Sequence, residues 1–195
     1  MRTVVKLGGS LLLRHDLVRA INRWLQANRE QSFATQWLFV VGGGSMIDAI
    51  RDLDRIRPGD PEEVHWRCVD LLQTTFDIVG NWFDWNRIGS TEELNRANRE
   101  GFPVERPTLV AVRSFYSPQI QSEASPSLPH DWRTTTDSIA ARLAQRVAAD
   151  ELVLLKSCMI DQEQSIEELA QQGIVDEAFP RIARTLDSVR VERLL

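Results

Sequence analysis

Residues 3–10 read Thr-Val-Val-Lys-Leu-Gly-Gly-Ser, and residues 37–45 read Trp-Leu-Phe-Val-Val-Gly-Gly-Gly-Ser. Each is a short run of β-branched and apolar residues that stops at glycines. Such a run, bounded by a turn signal, marks a strand buried on both faces. A third run, Leu-Val-Leu-Leu at 152–155, stops at Lys156-Ser157. Helical patterns lie between these runs. Residues 16–29 repeat Leu17, Ala20, Ile21, Trp24 and Leu25 at helical spacing, and residues 45–55 carry the stripe Met46, Ile47, Ile50 and Leu53. Strands that alternate with helices predict an α/β protein, a three-layer α/β/α sandwich with a mostly parallel sheet covered on both faces.

The rest of the chain fits this alternation. Asp60-Pro61-Glu62-Glu63 is a helix start, with a capping carboxylate, a proline suited to the first turn and a glutamate at the capping-box position. That helix is predicted to run to about Trp82, with Val64, Cys68, Leu71, Leu72, Phe76 and Val79 inward. Ser90 with Glu93 opens a short helix over 90–99, and a strand follows over 108–112. Residues 114–134, with Pro118, Pro126 and Pro129, form the longest irregular stretch, of a kind that is often functional in compact domains. Residues 137–149 are helical, with Ile139, Leu143 and Val147 on one side. Helices are also predicted over 165–172 and 179–186, and an edge strand over 189–191. No linker or repeat divides the chain, so residues 1–195 are read as one domain.

Of 195 residues, 43% are hydrophobic and 26% charged, a globular balance that excludes a disordered tail, a collagen or a coiled coil. The net charge of −5 argues against wholesale binding to nucleic acid or an anionic membrane. No stretch approaches the roughly 20 apolar residues of a membrane span. Two cysteines, Cys68 and Cys158, make no disulfide framework and are read as buried small hydrophobes. A reducing, cytoplasmic setting is expected. There is neither a Walker A sequence nor a dinucleotide fingerprint, and zinc-site spacing is lacking too.

Basic residues total 23, yet only Lys6 and Lys156 are lysines. Codon bias is one reading. The other is that these two sites need a compact ammonium rather than a planar guanidinium. Both lysines stand at strand ends, beside Gly8-Gly9-Ser10 and Ser157, and the second strand ends in Gly42-Gly43-Gly44. Ligands of open parallel sheets bind beyond the carboxyl ends of the strands, and helix N-termini there favour anions. Two glycine loops and two lysines at one sheet edge predict a site for a polyanion. Thr134-Thr135-Thr136-Asp137-Ser138 precedes a helix. Thr136 or Asp137 either caps that helix, or the hydroxyls and the carboxylate face the anion site, where an acid makes sense only if it holds cations. Arg51 either pairs with Asp48 one turn away or reaches an acceptor phosphate. His65 and Trp66 either pack near their helix start or line an acceptor pocket; His130 is a further candidate for substrate contact. His15 is read as a surface residue, and Trp82, Phe83 and Trp85 as core or a dimer contact.

The runs VVKLGGSLL (4–12), VVGGGSMIDAIR (40–51) and TTTDSIAARLAQRVAADELVLLKS (134–157) resemble, in this order, the amino acid kinase family, which includes acetylglutamate, aspartate, carbamate and uridylate kinases. The run ending at Arg51, the His65-Trp66 pair and LPHDW at 128–132 are most similar to the kinases that phosphorylate aminomethylfuran-methyl phosphate in methanofuran synthesis; the Thr-Thr-Asp-Ser run also resembles uridylate kinases. The resemblance implies a carbamate-kinase-like fold, ATP and Mg²⁺ as donor and cofactor, and a homo-oligomer, a dimer or higher. It implies that Lys6, Asp137 and Lys156 are catalytic, Lys6 at the transferring phosphoryl group and Asp137 as organiser of the lysines. Gly8, Gly9, Ser10 and Ser157 would bind the donor phosphates. Gly42, Gly43, Gly44, Arg51, His65, Thr135 and Thr136 would bind the acceptor, and no protein side chain is assigned to the metal.

Residues 1–135 are thus expected to hold the acceptor and residues 136–195 the nucleotide. The second part departs from the family. Its Asp-Gly turn after the strand is replaced by Lys156-Ser157-Cys158-Met159-Ile160-Asp161-Gln162, and the C-terminal region is short, so a reduced nucleotide site is expected. The implied function is phosphoryl transfer from ATP to a small anionic metabolite, foremost a phosphate monoester such as aminomethylfuran-methyl phosphate, with a diphosphate product. The alternatives are a uridylate-kinase-like or carboxylate kinase, and a non-catalytic metabolite binder.

Overall fold

A computed structural model describes residues 1–29, 34–121 and 124–195. Its centre is strand β1 (Arg2–Leu7), flanked by β2 (Gln36–Val41) and β5 (Glu151–Lys156). The sheet is six-stranded and parallel throughout, in the order β3-β4-β2-β1-β5-β6, with β3 (Asn86–Ile88), β4 (Thr108–Val110) and β6 (Val189–Arg193) outside the central three. The central strands are apolar on both faces because both faces are covered. Val4, Leu38, Val40, Leu152 and Leu154 join one core, and Val5, Leu7, Phe39, Val41, Val153 and Leu155 join the other.

Eight helices surround the sheet among the described residues. Helix α1 (Leu17–Arg29) lays Leu17, Ala20, Ile21 and Leu25 on the second face. Helices α2 (Ser45–Ile56) and α3 (Pro61–Gly80) follow β2. Asp60 accepts a hydrogen bond from the Glu63 amide at 3.0 Å, and Pro61 opens the helix, so α3 begins where its sequence says. Helix α4 (Thr91–Glu100) starts in a full capping box of Ser90 and Glu93, and a second box of Ser165 and Glu168 opens α7 (Ile166–Gln171). A single turn, α5 (Pro118–Gln121), lies within the proline-rich stretch, and α8 (Phe179–Ala183) precedes β6. Helix α6 (Thr136–Arg146) packs on the first face, and every residue from Thr136 to Ala144 is buried.

Several expectations need correction. None of α2's residues is buried, and Leu53 and Ile56 are 67% and 75% exposed, so its apolar stripe is no core face. In α3 the inward line runs through His65, Val69, Leu72, Phe76 and Val79, leaving Val64, Cys68 and Leu71 half-buried. That helix ends at Gly80 rather than Trp82. Strand β4 stops at Val110, and a 3₁₀ turn over Val112–Ser114 carries the chain away. Helix α6 ends at Arg146, before Ala148 in the left-handed region at φ 47°. Strand β3 was not expected; three residues, Asn-Arg-Ile, are too few to show a period. Cys158 is exposed, not buried.

Candidate active site

Register brings the three strand ends together. Leu7 pairs with Val41 on one side and with Leu155 on the other, so the loops after β1, β2 and β5 leave the sheet side by side. Side chains alternate between faces with a period of two. Val4 and Lys6 therefore share a face, as do Leu152, Leu154 and Lys156, and it is the face that α6 covers. Asp137 enters from the first turn of α6. Lys6 Nζ lies 2.9 Å from Asp137 Oδ1, and Lys156 Nζ donates to Asp137 Oδ2 at 2.8 Å. All three are buried, at 5%, 3% and 9% exposure for Lys6, Asp137 and Lys156.

The electrostatics follow from that burial. Loss of water raises the proton affinity of the Asp137 carboxyl, but the two ammoniums outweigh it and hold the group below the ordinary carboxylate range. Burial and the nearby Lys6 charge push Lys156 below the usual lysine value, with Asp137 and Asp176 opposing. An ion pair of this kind, removed from water, is weak support for stability.

The glycine loops touch each other. A Cβ on Gly9 would stand 2.1 Å from the Gly44 nitrogen, and Gly44 itself has φ 55°. Glycine at these two positions thus lets the two backbones meet. The Gly8 amide donates to the Leu155 carbonyl at 3.0 Å, tying the first loop to β5, and the Ser10 and Ser157 hydroxyls are 2.8 Å apart across the mouth.

Beside these loops is a cavity of about 230 Å³. Of the expected site residues, Gly9, Ser10, Gly43, Gly44, Arg51, His65, Thr135 and Thr136 line it. Gly8, Gly42, Lys6, Asp137, Lys156 and Ser157 are not among its walls; Thr136, one residue before Asp137, joins the cavity to the charged cluster. Arg51 pairs with Asp48 at 3.2 Å, as the one-turn spacing suggested, and also lies 4.7 Å over the Trp132 ring at the cavity wall. Trp132 donates to Asp54 at 2.7 Å.

His65 is both packed and lining. It contacts the Tyr116 hydroxyl at 3.1 Å and stacks on His130, whose Nδ1 is 2.9 Å from Glu62. Burial, and then His130, push His65 down to about 4, so its imidazole is neutral at physiological pH. Tyr116 is wholly buried, and burial raises its phenol above the usual value.

The hydroxyls before α6 do not face the anion site together. Thr135 and Ser138 turn to Asp176, a residue the sequence reading passed over. Thr135 is the N-cap residue but makes no cap bond with its own side chain, and neither Thr136 nor Asp137 caps the helix. The sequence signal for Asp176 was no more than an acid following the apolar pair Ile174-Val175. Among the described residues no cluster of three or more His, Cys, Asp or Glu side chains is placed to hold a metal ion. Asp137 is already committed to two ammoniums, so the donor set does not fit a protein-held metal.

No protein-family model matches the chain, and no curated protein sequence does. Solved structures do match. The uridylate kinase of Archaeoglobus fulgidus superposes with a TM-score of 0.62 at 14% identity, over 100% of this chain and 91% of that one. The UMP kinase of Bacillus anthracis gives 0.62 at 12% identity, over 99% and 87%. The aspartate kinase of Synechocystis gives 0.62 at 16%, over 98% of this chain but 38% of that one. At such identities the likeness speaks for architecture alone: the chain has the α/β/α fold of the uridylate and aspartate kinases.

Proposed function

We propose that this protein is a kinase that moves the γ-phosphoryl group of ATP onto a small anionic acceptor, foremost a phosphate monoester, giving a diphosphate. The observation that carries this reading is the meeting of Lys6 and Lys156 on Asp137 at adjacent strand ends. Phosphoryl transfer needs little covalent chemistry from a protein; it needs positioning and positive charge that follows the moving group. Lys6 contacts the transferring group. Lys156 and Ser157 meet the donor phosphates, with Gly8, Gly9 and Ser10 along the path. Asp137 orients the two ammoniums and removes no proton, because a phosphate or carboxylate acceptor is already ionised at neutral pH.

The acceptor occupies the cavity beside Gly43 and Gly44. Val69, Leu72 and Ile139 give it an apolar wall, and Arg51 supplies a cation at its rim. A volume of about 230 Å³ suits a small ring with one phosphate, and aminomethylfuran-methyl phosphate is the acceptor we favour. Residues 1–135 would hold the acceptor and residues 136–195 the nucleotide. Mg²⁺ would enter with the nucleotide phosphates rather than on protein carboxylates.

The test incubates the protein with Mg-ATP and, in separate reactions, the furan phosphate, UMP and a panel of phosphate and carboxylate acceptors. ADP and a diphosphate are expected with a phosphate monoester. A hydroxylamine-trappable product would transfer the assignment to a carboxylate acceptor. Absence of turnover with every acceptor removes the kinase reading.

A further inference from the structure

Asp176 lies between α7 and α8 and is 9% exposed. Its Oδ2 accepts from the Thr135 amide at 2.9 Å, the Thr135 hydroxyl at 2.9 Å and the Ser138 amide at 3.0 Å, and its Oδ1 accepts from the Ser138 hydroxyl. An N-cap threonine ordinarily accepts the amide three residues on. Here Thr135 donates instead, and a carboxylate 41 residues away does the capping. A second tie, from the Ala178 amide to the Arg133 carbonyl at 2.9 Å, fixes the same segment to the approach of α6.

Asp137 stands between Thr135 and Ser138. An acid in the first turn of a helix is drawn to that turn's free amides. With the Thr135 and Ser138 amides taken by Asp176, the Asp137 carboxylate turns to the lysines. The charge also balances: two buried ammoniums face two buried carboxylates. We propose that Asp176 is a positioning residue of the phosphoryl-transfer site, holding the first turn of α6 so that Asp137 stays on Lys6 and Lys156, and supporting the Lys156 ammonium by its charge. The inference rests on the kinase reading of the site.

The charged and titratable groups around Asp176 are Asp137 on α6, Lys156 at the end of β5 and Tyr116 beyond the 3₁₀ turn, with Lys6 behind Asp137. Burial, and then Asp137, push Asp176 up to about 6, while the bonds it accepts from two amides and two hydroxyls favour its anionic form. Lys156 is held down by burial and Lys6 and held up by Asp137 and Asp176.

The chain's two lysines make the test direct, because ¹³Cε-lysine labelling gives two signals to follow against pH. Asp176→Asn keeps an oxygen for the amides and removes the charge. The Lys156 midpoint is expected to move to lower pH, and kcat to fall about tenfold with KM little changed, as for a small misplacement of a catalytic group. Asp176→Glu, which keeps the charge, should hold the midpoint near wild type. An unmoved Lys156 midpoint in folded D176N overturns the inference, because a capping role alone would not shift it. Should D176N not fold, Ser138→Ala takes its place: kcat falls with KM unchanged, and wild-type kcat overturns the inference. The titration needs neither ATP nor acceptor. A wild-type protein that never turns over therefore removes the kinase reading, whereas an immobile Lys156 midpoint removes this one.

Discussion

Lys6 and Lys156 share one carboxylate in a place where water is scarce, and the choice of ammonium over guanidinium is the chemistry to test. An ammonium is compact and can turn with a moving phosphoryl group; a planar fork is fixed in its donor directions. Lys6→Arg is expected to fold, with an unchanged circular dichroism spectrum, and to lose activity roughly 100-fold, the scale of removing one aimed donor. Full activity in that variant would sink the argument. His65 makes a second prediction. Its pKa is about 4 in the folded protein because of burial and His130, against about 6.5 in an unfolded chain. Between those values the unfolded chain binds the extra proton, so stability falls as pH drops from 6.5 toward 4. Thermal melts across that range should show this slope, and His65→Gln should flatten it.

At the scale of elements, the contact between the loops after β1 and β2 sets the site. Gly9 meets Gly44 backbone to backbone, and a methyl group at Gly9 would be 2.1 Å from the Gly44 nitrogen and 2.7 Å from its Cα. No side chain can swing away there, so the loops must part. Gly9→Ala should cost roughly 1–3 kcal/mol, the range for overpacking, measured by urea unfolding, and should weaken acceptor binding as well. Wild-type stability in that variant would mean that the loops are separated in solution. Helix α2 shows where an element is poorly read from its pattern. Its stripe of Met46, Ile47, Ile50 and Leu53 has helical period, but period says only which residues share a face. Whether that face meets core or solvent depends on what packs against it, and here Leu53 and Ile56 remain exposed.

For the whole molecule, the central strands end level with one another, so the loops after β1, β2 and β5 open on one edge of the sheet. In the kinase reading the acceptor lies by the loop after β2 and the donor by the end of β5, and these two strands flank β1 on opposite sides. Both substrates should then bind at once. Calorimetry is expected to give one acceptor and one ATP per chain, each still binding when the other is present. Acceptor binding without any ATP binding would point to a metabolite binder on this fold. No helix among the described residues is long and apolar enough to cross a membrane.

The sequence by itself settled what depends on near neighbours. Short β-rich runs at 3–7, 37–41 and 152–155 announced doubly covered strands, and the glycines and lysines at their ends raised the expectation of an anion site. Strand parity places Val4 with Lys6 and Leu154 with Lys156, but only the pairing of β1 with β5 makes the two faces one. Only the tertiary structure decided the rest, because those features join residues distant in the chain. The register that sets Leu7 between Val41 and Leu155, the meeting of Gly9 with Gly44 and the partnership of His65 with Tyr116 leave no local periodicity. Asp176 is the clearest instance: its hydrogen bonds to Thr135 and Ser138 replace a local cap with one from a distant segment, and a sequence pattern records only local caps.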